Sequence, residues 1–348
     1  MLFILLNWYN NHKRELPWRN TKDPYKIWLS EIILQQTRVD QGLEYYNRFV
    51  QRFPSVSSLA SAELEEIFLL WQGLGYYSRA RNLHVAAKQI VVDFNGEFPG
   101  NSILLKKLKG VGDYTAAAVA SFAFGEAIPV VDGNVFRVLS RLYANETAID
   151  TAKGKIVFTE LADKTLNKKQ PDIHNQAMME LGALVCLPKS PKCPICPLQD
   201  ICEACKLGIQ EKLPVKKGKV KQRNRYFTFY IIKYRDQLLI EKRTGNDIWQ
   251  GLYQFPMIES SQPFSDTEMI QKAEDLIHSP AKVNRKILCI SDSIKHVLSH
   301  QVIFAKFVHL EYFEPLKTSH KQIVIDQKNI IDFAFPRLIT RYLEKKIN

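Results

Sequence analysis

Long hydrophobic runs are missing from this chain of 348 residues; the opening stretch from Met1 to Leu6 stops at Asn7 with no basic segment before it. That is too short for a signal-peptide core or a membrane span, so an intracellular protein with no membrane partner is expected. Cysteine is scarce outside one region, with five of the six falling between positions 186 and 205. In a reducing compartment such crowding argues against a disulfide framework and for a metal or cluster site. Acidic residues are outnumbered, 36 against 48 lysines and arginines, which leaves a formal charge of +12. The imbalance points to a polyanionic partner, nucleic acid first. Repeats of solenoid length are absent too, which excludes an array architecture.

The remaining composition is that of an ordinary globular chain, long enough for two compact domains, each with its own core. Residues 1–207 read as an all-α domain, with amphipathic stretches such as Leu59 to Trp71 and Asn82 to Phe94 separated by Gly, Pro and Asn. Residues 208–225 read as a basic linker, because Glu211 to Arg225 holds seven basic residues and one acidic residue with no apolar period to dock it. Residues 226–348 read as α+β: YFTFYIIK, DQLLIEKR, NRKILCIS and HQVIFAKFVHLEYF are rich in β-branched and aromatic residues, and a helical pattern occupies 265–278.

Cys186, Cys193, Cys196 and Cys202 are separated by six, two and five residues, so one compact loop can present four thiolates to a metal or cluster. A zinc site on Cys193, Cys196, Cys202 and Cys205 is the alternative, although two CxxC pairs five residues apart are cramped and leave Cys186 without a role. In LLKKLKGVGDYTAAAVASFAF a short helix meets Gly110-Val111-Gly112 and then a second helix with closely spaced alanines, a helix-hairpin-helix pattern. Its glycines let the turn approach a DNA phosphate, and free amides at the start of the second helix can donate to it. Lys106, Lys107 and Lys109 add charge there, yet the same GVG could simply turn the chain between packed helices. Asp132 follows Asp113 by nineteen positions, in VVDGNVFRVLSRL, where it or Asn134 can cap the next helix.

Taken together, the cysteine spacing, the hairpin and the following aspartate resemble the endonuclease III and MutY family of DNA glycosylases, nearly throughout the chain and most strongly from 14 to 205. The resemblance implies a helix-hairpin-helix glycosylase domain with a 4Fe-4S loop held by Cys186, Cys193, Cys196 and Cys202, plus a Nudix-like α+β domain. The cluster would hold a loop whose Lys189 and Lys192 face phosphate, while Cys205 and Cys289 are left as structural thiols. Asp132 is implied to stabilise the cationic sugar, electrostatically or by transient covalent capture. Bifunctional members carry a lysine two positions after the last hairpin glycine; here that position is Tyr114, which cannot form an imine. The chain thus resembles the monofunctional MutY branch, which removes adenine opposite 8-oxoguanine.

That branch needs a proton donor. In YKIWLSEIILQQTRV, Glu31 shares a helix face with Ile27, Trp28, Leu34 and Gln35, mostly apolar company that favours the protonated acid. SEIILQQT also matches the family's SExxLQQT motif, so Glu31 is implied as general acid; the plainer view is a salt-bridged helix residue. Together with Tyr114 and Asn134, Glu31 and Asp132 form the expected catalytic set. Gln176 resembles the position that reads the adenine edge, with Arg19 of LPWR assisting, although some members have glutamate at 176. Tyr76 in GLGYYSRARNL resembles the intercalating wedge, and Gln36, Thr37 and Leu74 the contacts to the opened pair. Alternatively, Tyr76 and Tyr77 are core aromatics.

Trp249 to Pro256, WQGLYQFP, resembles the Nudix-like domain of the family. A working Nudix hydrolase would follow it with a magnesium-binding helix, which Glu268, Glu274 and Asp275 within 265–286 do not reproduce. Recognition without pyrophosphate hydrolysis is expected. KHVLSHQVIF fits the loop that checks for 8-oxoguanine, with Ser299 and His300 matching and Leu298 departing from the usual Phe. Oxidation turns the guanine N7 from acceptor to donor, which a hydroxyl can detect. The expected partner is double-stranded DNA carrying adenine opposite 8-oxoguanine or guanine, bound by a monomer in the bacterial cytoplasm. A bifunctional glycosylase and lyase, opposed by Tyr114, and a non-catalytic lesion-binding protein are the rival readings.

Overall fold

The computed structural model describes residues 2–218, 221–273, 276, 284–316, 318 and 321–347. They fall into two compact units, Met1–Ala62 with Arg81–Gly218, and Glu63–Ala80 with Lys219–Asn348. In chain order the first helices are α1 (Leu2–His12), α2 (Pro24–Leu34), α3 (Val39–Arg52), α4 (Val56–Ala60), α5 (Leu64–Trp71) and α6 (Ser78–Asp93). They are followed by α7 (Ser102–Leu105), α8 (Asp113–Phe124), α9 (Gly133–Leu142), α10 (Ala152–Thr165), α11 (Pro171–Leu184) and α12 (Glu203–Lys206).

Local chemistry sets the ends of the site-bearing helices. Asp23 caps α2 through the Tyr25 amide with Pro24 at the first helical position, and Gly125 ends α8 in the left-handed conformation. α2 is buried over most of its surface, with Tyr25 and Ile27 through Ile33 all buried, so Ser30 and Glu31 leave water with the helix while Lys26 stays partly exposed. α2 packs on α8, whose Ala116, Ala117, Ala118 and Ala120 are buried and let the two backbones approach. α9 puts Val135, Val138, Leu139 and Leu142 into a core shared with Leu5 and Tyr9 of α1 and Ala177, Met178 and Leu181 of α11. Truncating a fully buried leucine such as Leu139 to alanine costs about 2–5 kcal/mol.

The second unit is an eight-stranded sheet among the described residues, running β3-β2-β1-β7-β5 with β4 on β1, β6 on β7 and β8 on β2. Its strands are β1 (Arg223–Tyr234), β2 (Gln237–Lys242), β3 (Tyr253–Gln254), β4 (Met257–Ser260), β5 (Arg285–Ile290), β6 (Ile294–Val297), β7 (Gln301–Tyr312) and β8 (Gln322–Asp326). β1 and β7 pair in parallel from Arg223↔Gln301 to Lys233↔Glu311, whereas the other pairings are antiparallel. Alternation along β1 sends Phe227, Phe229 and Ile231 to one face, against Leu338, Ile339 and Tyr342 of α14 (Arg337–Ile347). Tyr230 and Ile232 go to the other, against Met269 of α13 (Asp266–Lys272).

Three sequence expectations change. The single helix expected over 59–71 is broken after Ala60, and α5 restarts with Glu65 and Glu66 in its first turn, where acidic residues suit the helix dipole. α5 belongs to the sheet-containing unit: Glu65 pairs with Lys242, the Phe335 amide donates to Gln72 Oε1, and Gly251 lies against Phe68. The basic stretch is docked at both ends rather than a free spacer. Leu213 is buried, its carbonyl accepts from Arg141, the Ile149 amide donates to the Val215 carbonyl, and the Lys217 and Gly218 amides donate to Asp150. At the far end Arg225 is buried in β1 between Asp247 and Glu259. The helix expected over 265–278 spans Asp266–Lys272, with Glu268 closing a capping box on Ser265. Glu274 and Asp275 lie outside the described residues.

Candidate active site

Glu31 is carried into the interior by α2, and the Tyr114 hydroxyl from the first turn of α8 donates to its Oε2 at 2.6 Å. Burial pushes the Glu31 carboxyl up to about 7 from an ordinary 4.5. The Tyr114 hydrogen bond and the Arg19 charge pull the other way, and the charge of Asp132 adds to the rise. Glu31 is therefore close to half protonated at neutral pH. Its hydrogen-bond partner is a phenol, not the cation that a salt-bridged reading requires. Tyr114 is held well above its usual range by burial and by the two carboxylates, so it remains a donor.

Asp132 occupies the N-cap of α9 and keeps a carboxylate within electrostatic reach of Glu31. Its Oδ1 accepts from the Val135 amide at 2.7 Å and its Oδ2 from Asn134 Nδ2 at 2.7 Å. Burial raises its pKa, with these hydrogen bonds and Arg137 opposing. The capping role and the place beside Glu31 thus belong to one side chain. Asn134 is itself held: Arg137 Nη2 donates to its Oδ1 at 2.8 Å, and a Cβ at Gly182 of α11 would come within 2.6 Å of Asn134 Cβ.

Arg19 and Gln176 are linked through residues that the sequence did not single out. Tyr9 donates to Gln176 Oε1 at 3.0 Å, and the Arg19 guanidinium lies over the Tyr9 ring at 5.8 Å. Beneath them the Glu180 side chain, with no exposed surface, accepts from both Arg14 and Arg19. Burial alone would raise Glu180, but the hydrogen bonds and charges of the two arginines hold it at about 2. Partners 161 and 166 positions apart leave no local pattern in the sequence.

At the hairpin, Gly110 has φ +78 and a Cβ there would lie 2.6 Å from Asn82 Cβ, so only glycine fits. Gly112, by contrast, has open space around it, and Lys106 pairs with Asp113. Gln36 is exposed in a left-handed conformation, φ 54, after the end of α2, and the Thr37 amide closes on Leu34. In the second unit Leu74 is buried and Tyr77 is a core aromatic set edge-on to Phe68. Tyr76 differs: it is 47% exposed, has φ 49, and its hydroxyl lies 2.6 Å from Ser299 Oγ. His300 is exposed, and its carbonyl accepts from the Arg223 amide where β1 begins.

Cys186, Cys193, Cys196, Cys202 and Cys205 line one pocket with Arg141, whose Nη1 donates to Cys186 Sγ at 3.2 Å. Cys205, expected as a bystander, shares this pocket and hydrogen-bonds Cys193. Burial raises the thiol of Cys196 to about 11, and the neighbouring cysteines add to the rise. Gathered soft sulfurs, three of which (Cys193, Cys196 and Cys202) burial holds back from ionising, fit a cationic centre that supplies the missing charge. No helix among the described residues is long and apolar enough to cross a membrane.

Comparison with known proteins agrees with this geometry. Residues 29–163 match the HhH-GPD superfamily of base excision DNA repair proteins, residues 227–345 the NUDIX domain, and residues 186–202 the iron-sulfur binding domain of endonuclease III. An adenine DNA glycosylase of Buchnera aphidicola subsp. Schizaphis graminum (strain Sg) is 36% identical over 343 residues, 98% of this chain and 97% of its own. The chain belongs to the adenine DNA glycosylase family. The human adenine DNA glycosylase is 43% identical over 218 residues, 60% of this chain and 40% of the human one. Among solved structures, a thermostable thymine-DNA glycosylase superposes with TM-score 0.55 at 29% identity, covering 59% of this chain and 96% of that one. A non-covalent endonuclease III-DNA complex gives 0.52 at 26%, covering 60% and 95%. The family is one of DNA N-glycosylases, and the cysteine loop is of the iron-sulfur type.

Proposed function

We propose that this enzyme excises adenine from double-stranded DNA where it faces 8-oxoguanine or guanine, without cutting the strand. The observation that carries the reading is the buried pair of carboxyl groups, Glu31 hydrogen-bonded by Tyr114 and Asp132 held by Asn134 and Val135. Glu31, protonated over much of the neutral range, gives its proton to a ring nitrogen of an extruded adenine, which makes the base a better leaving group. As the N-glycosidic bond breaks, the Asp132 carboxylate stabilises the positive charge on the sugar. Water adds to the anomeric carbon and loses a proton, leaving an abasic site. Tyr114 orients Glu31 and offers no amine, so no imine forms and no strand cleavage follows.

In the first unit Gln176 and Arg19 face the base, Gly110 and Gly112 take a phosphate, and Gln36 and Thr37 contact the opened pair; in the second unit Leu74 and Tyr76 have that role. Ser299 and His300 read the opposite base. Cys186, Cys193, Cys196 and Cys202 hold a 4Fe-4S cluster, which when bound cross-links the 186–202 loop and does no base chemistry. We place the protein in the bacterial cytoplasm as a monomer.

The test is a single-turnover assay on a duplex with adenine opposite 8-oxoguanine, read with and without alkali. Breaks are expected only after alkali and should vanish in Asp132→Asn. Breaks without alkali, together with borohydride trapping of a covalent complex, would establish the bifunctional reading instead. Full activity in both Glu31→Gln and Asp132→Asn would remove the two carboxyl groups from the mechanism.

A further inference from the structure

The Glu180 carboxylate meets two guanidinium groups at once. Oε1 accepts from the Arg14 amide, Arg14 Nε and Arg19 Nη1, each at 2.9 Å. Oε2 accepts from Arg14 Nη2 at 2.6 Å and Arg19 Nη2 at 2.7 Å. Arg19 Nη1 is further tied to the Arg14 carbonyl at 3.0 Å. Arg19 is only 13% exposed, so it needs a counter-charge inside the protein. The turn Pro17–Arg19 packs against α2, which carries Glu31, and the groups that act on Glu31 include Tyr114 from α8, Asp132 from the start of α9 and Arg19 from that turn. Of these, only Arg19 is a cation, and a cation beside Glu31 favours the carboxylate over the acid.

We propose that Glu180 is a positioning residue of the glycosylase reaction: it clamps the Arg19 guanidinium to α11 and so withholds that cation from Glu31. A buried arginine serves to order Tyr9 and, through it, Gln176. Without a counter-ion the same arginine would turn Glu31 into its ion-pair partner and take away the proton donor. Glu180 resolves the conflict, with Arg14 as a second tether that keeps the carboxylate ionised. The inference rests on Glu31 as general acid.

The experiment is the pH dependence of the single-turnover excision rate on the adenine and 8-oxoguanine duplex. In Glu180→Gln the alkaline limb should move down by about one pH unit, a roughly tenfold loss near pH 8 with the rate near pH 5 nearly unchanged. Glu180→Asp, which keeps the counter-charge, should hold the limb in place. Adding Arg19→Gln to Glu180→Gln should return the limb toward its original position, whatever that change does to the absolute rate. Arg19→Gln alone should raise it only slightly, because Glu180 already offsets most of the Arg19 charge; if Glu180→Gln does not fold, the size of that rise is the reading. An unmoved limb in folded Glu180→Gln, or a large upward move in Arg19→Gln alone, overturns the clamp. Undiminished activity in Glu31→Gln overturns the acid assignment itself, a separate result.

Discussion

The Glu31 and Asp132 site and the Tyr76 and Ser299 pair use opposite physical means. In the first unit polar groups are drawn out of water: Glu31 is 7% exposed, and burial dominates the shifts of both carboxyl groups. In the sheet-containing unit the pair is left at the surface, with Tyr76 47% exposed and Ser299 exposed. Burial alters how readily a proton is held; exposure leaves hydroxyl groups free to exchange one partner for another. In the function proposed above, chemistry on a base draws on the first and comparison of one base with another on the second.

The contrast is broken most directly at the carboxyl groups. Asp132→Asn and Glu31→Gln should each lower the single-turnover rate by about 10²–10⁴ fold, the range for a charge stabiliser or a general acid. A loss of less than about tenfold in either would place the chemistry elsewhere.

Stability gives the next effect. Folding raises the Glu31 pKa from 4.5 to about 7, so its contribution is fully present below 4.5 and is lost as pH rises through 7. The difference amounts to about 3 kcal/mol, so folded Glu31→Gln should be more stable than the parent near pH 8 and lose that advantage near pH 4. Denaturant melts at the two pH values measure it; equal gains at both would show that Glu31 folds without a proton penalty. The parent's excision rate should fall about tenfold per pH unit above the same midpoint.

The cysteine loop lies between these extremes, half-buried and packed on the α-helical core. Cys202→Ser should abolish visible absorbance and iron content and lower the melting temperature; retained iron would remove Cys202 from the ligand set. The smallest effect is expected at the exposed pair. Ser299→Ala should reduce the preference for 8-oxoguanine over guanine by about fivefold to tenfold, the worth of one hydrogen bond. Since Tyr76 and Ser299 share that bond, Tyr76→Phe should add little to Ser299→Ala. Fully additive losses would separate the two side chains.

Spacing made the α-helical half and its central residues legible. The apolar company of Glu31 on its helix foretold its burial, whereas Glu31, Tyr114 and Asp132 were singled out as site residues by the motif and hairpin that resemble the family's. The strands of the second unit followed from β-branched and aromatic runs. What stayed hidden was non-local. Arg14 and Glu180 look like surface charges until α11 is laid beside the chain entering α2, and nothing in residues 63–80 tells that they pack with the sheet. The basic stretch misled for a related reason: its partners are backbone amides and carbonyls, which composition does not record.

Gly182 carries a consequence for inherited variation. It lies fifty positions beyond Asp132, yet the space it leaves empty is where Asn134 rests. A single added methyl there would push Asn134 off its aspartate without altering any charged residue. The Asn134 carbonyl would lie only 3.0 Å from that methyl, so a substitution that looks innocuous and lies far along the chain reaches the first turn of the helix that Asp132 caps.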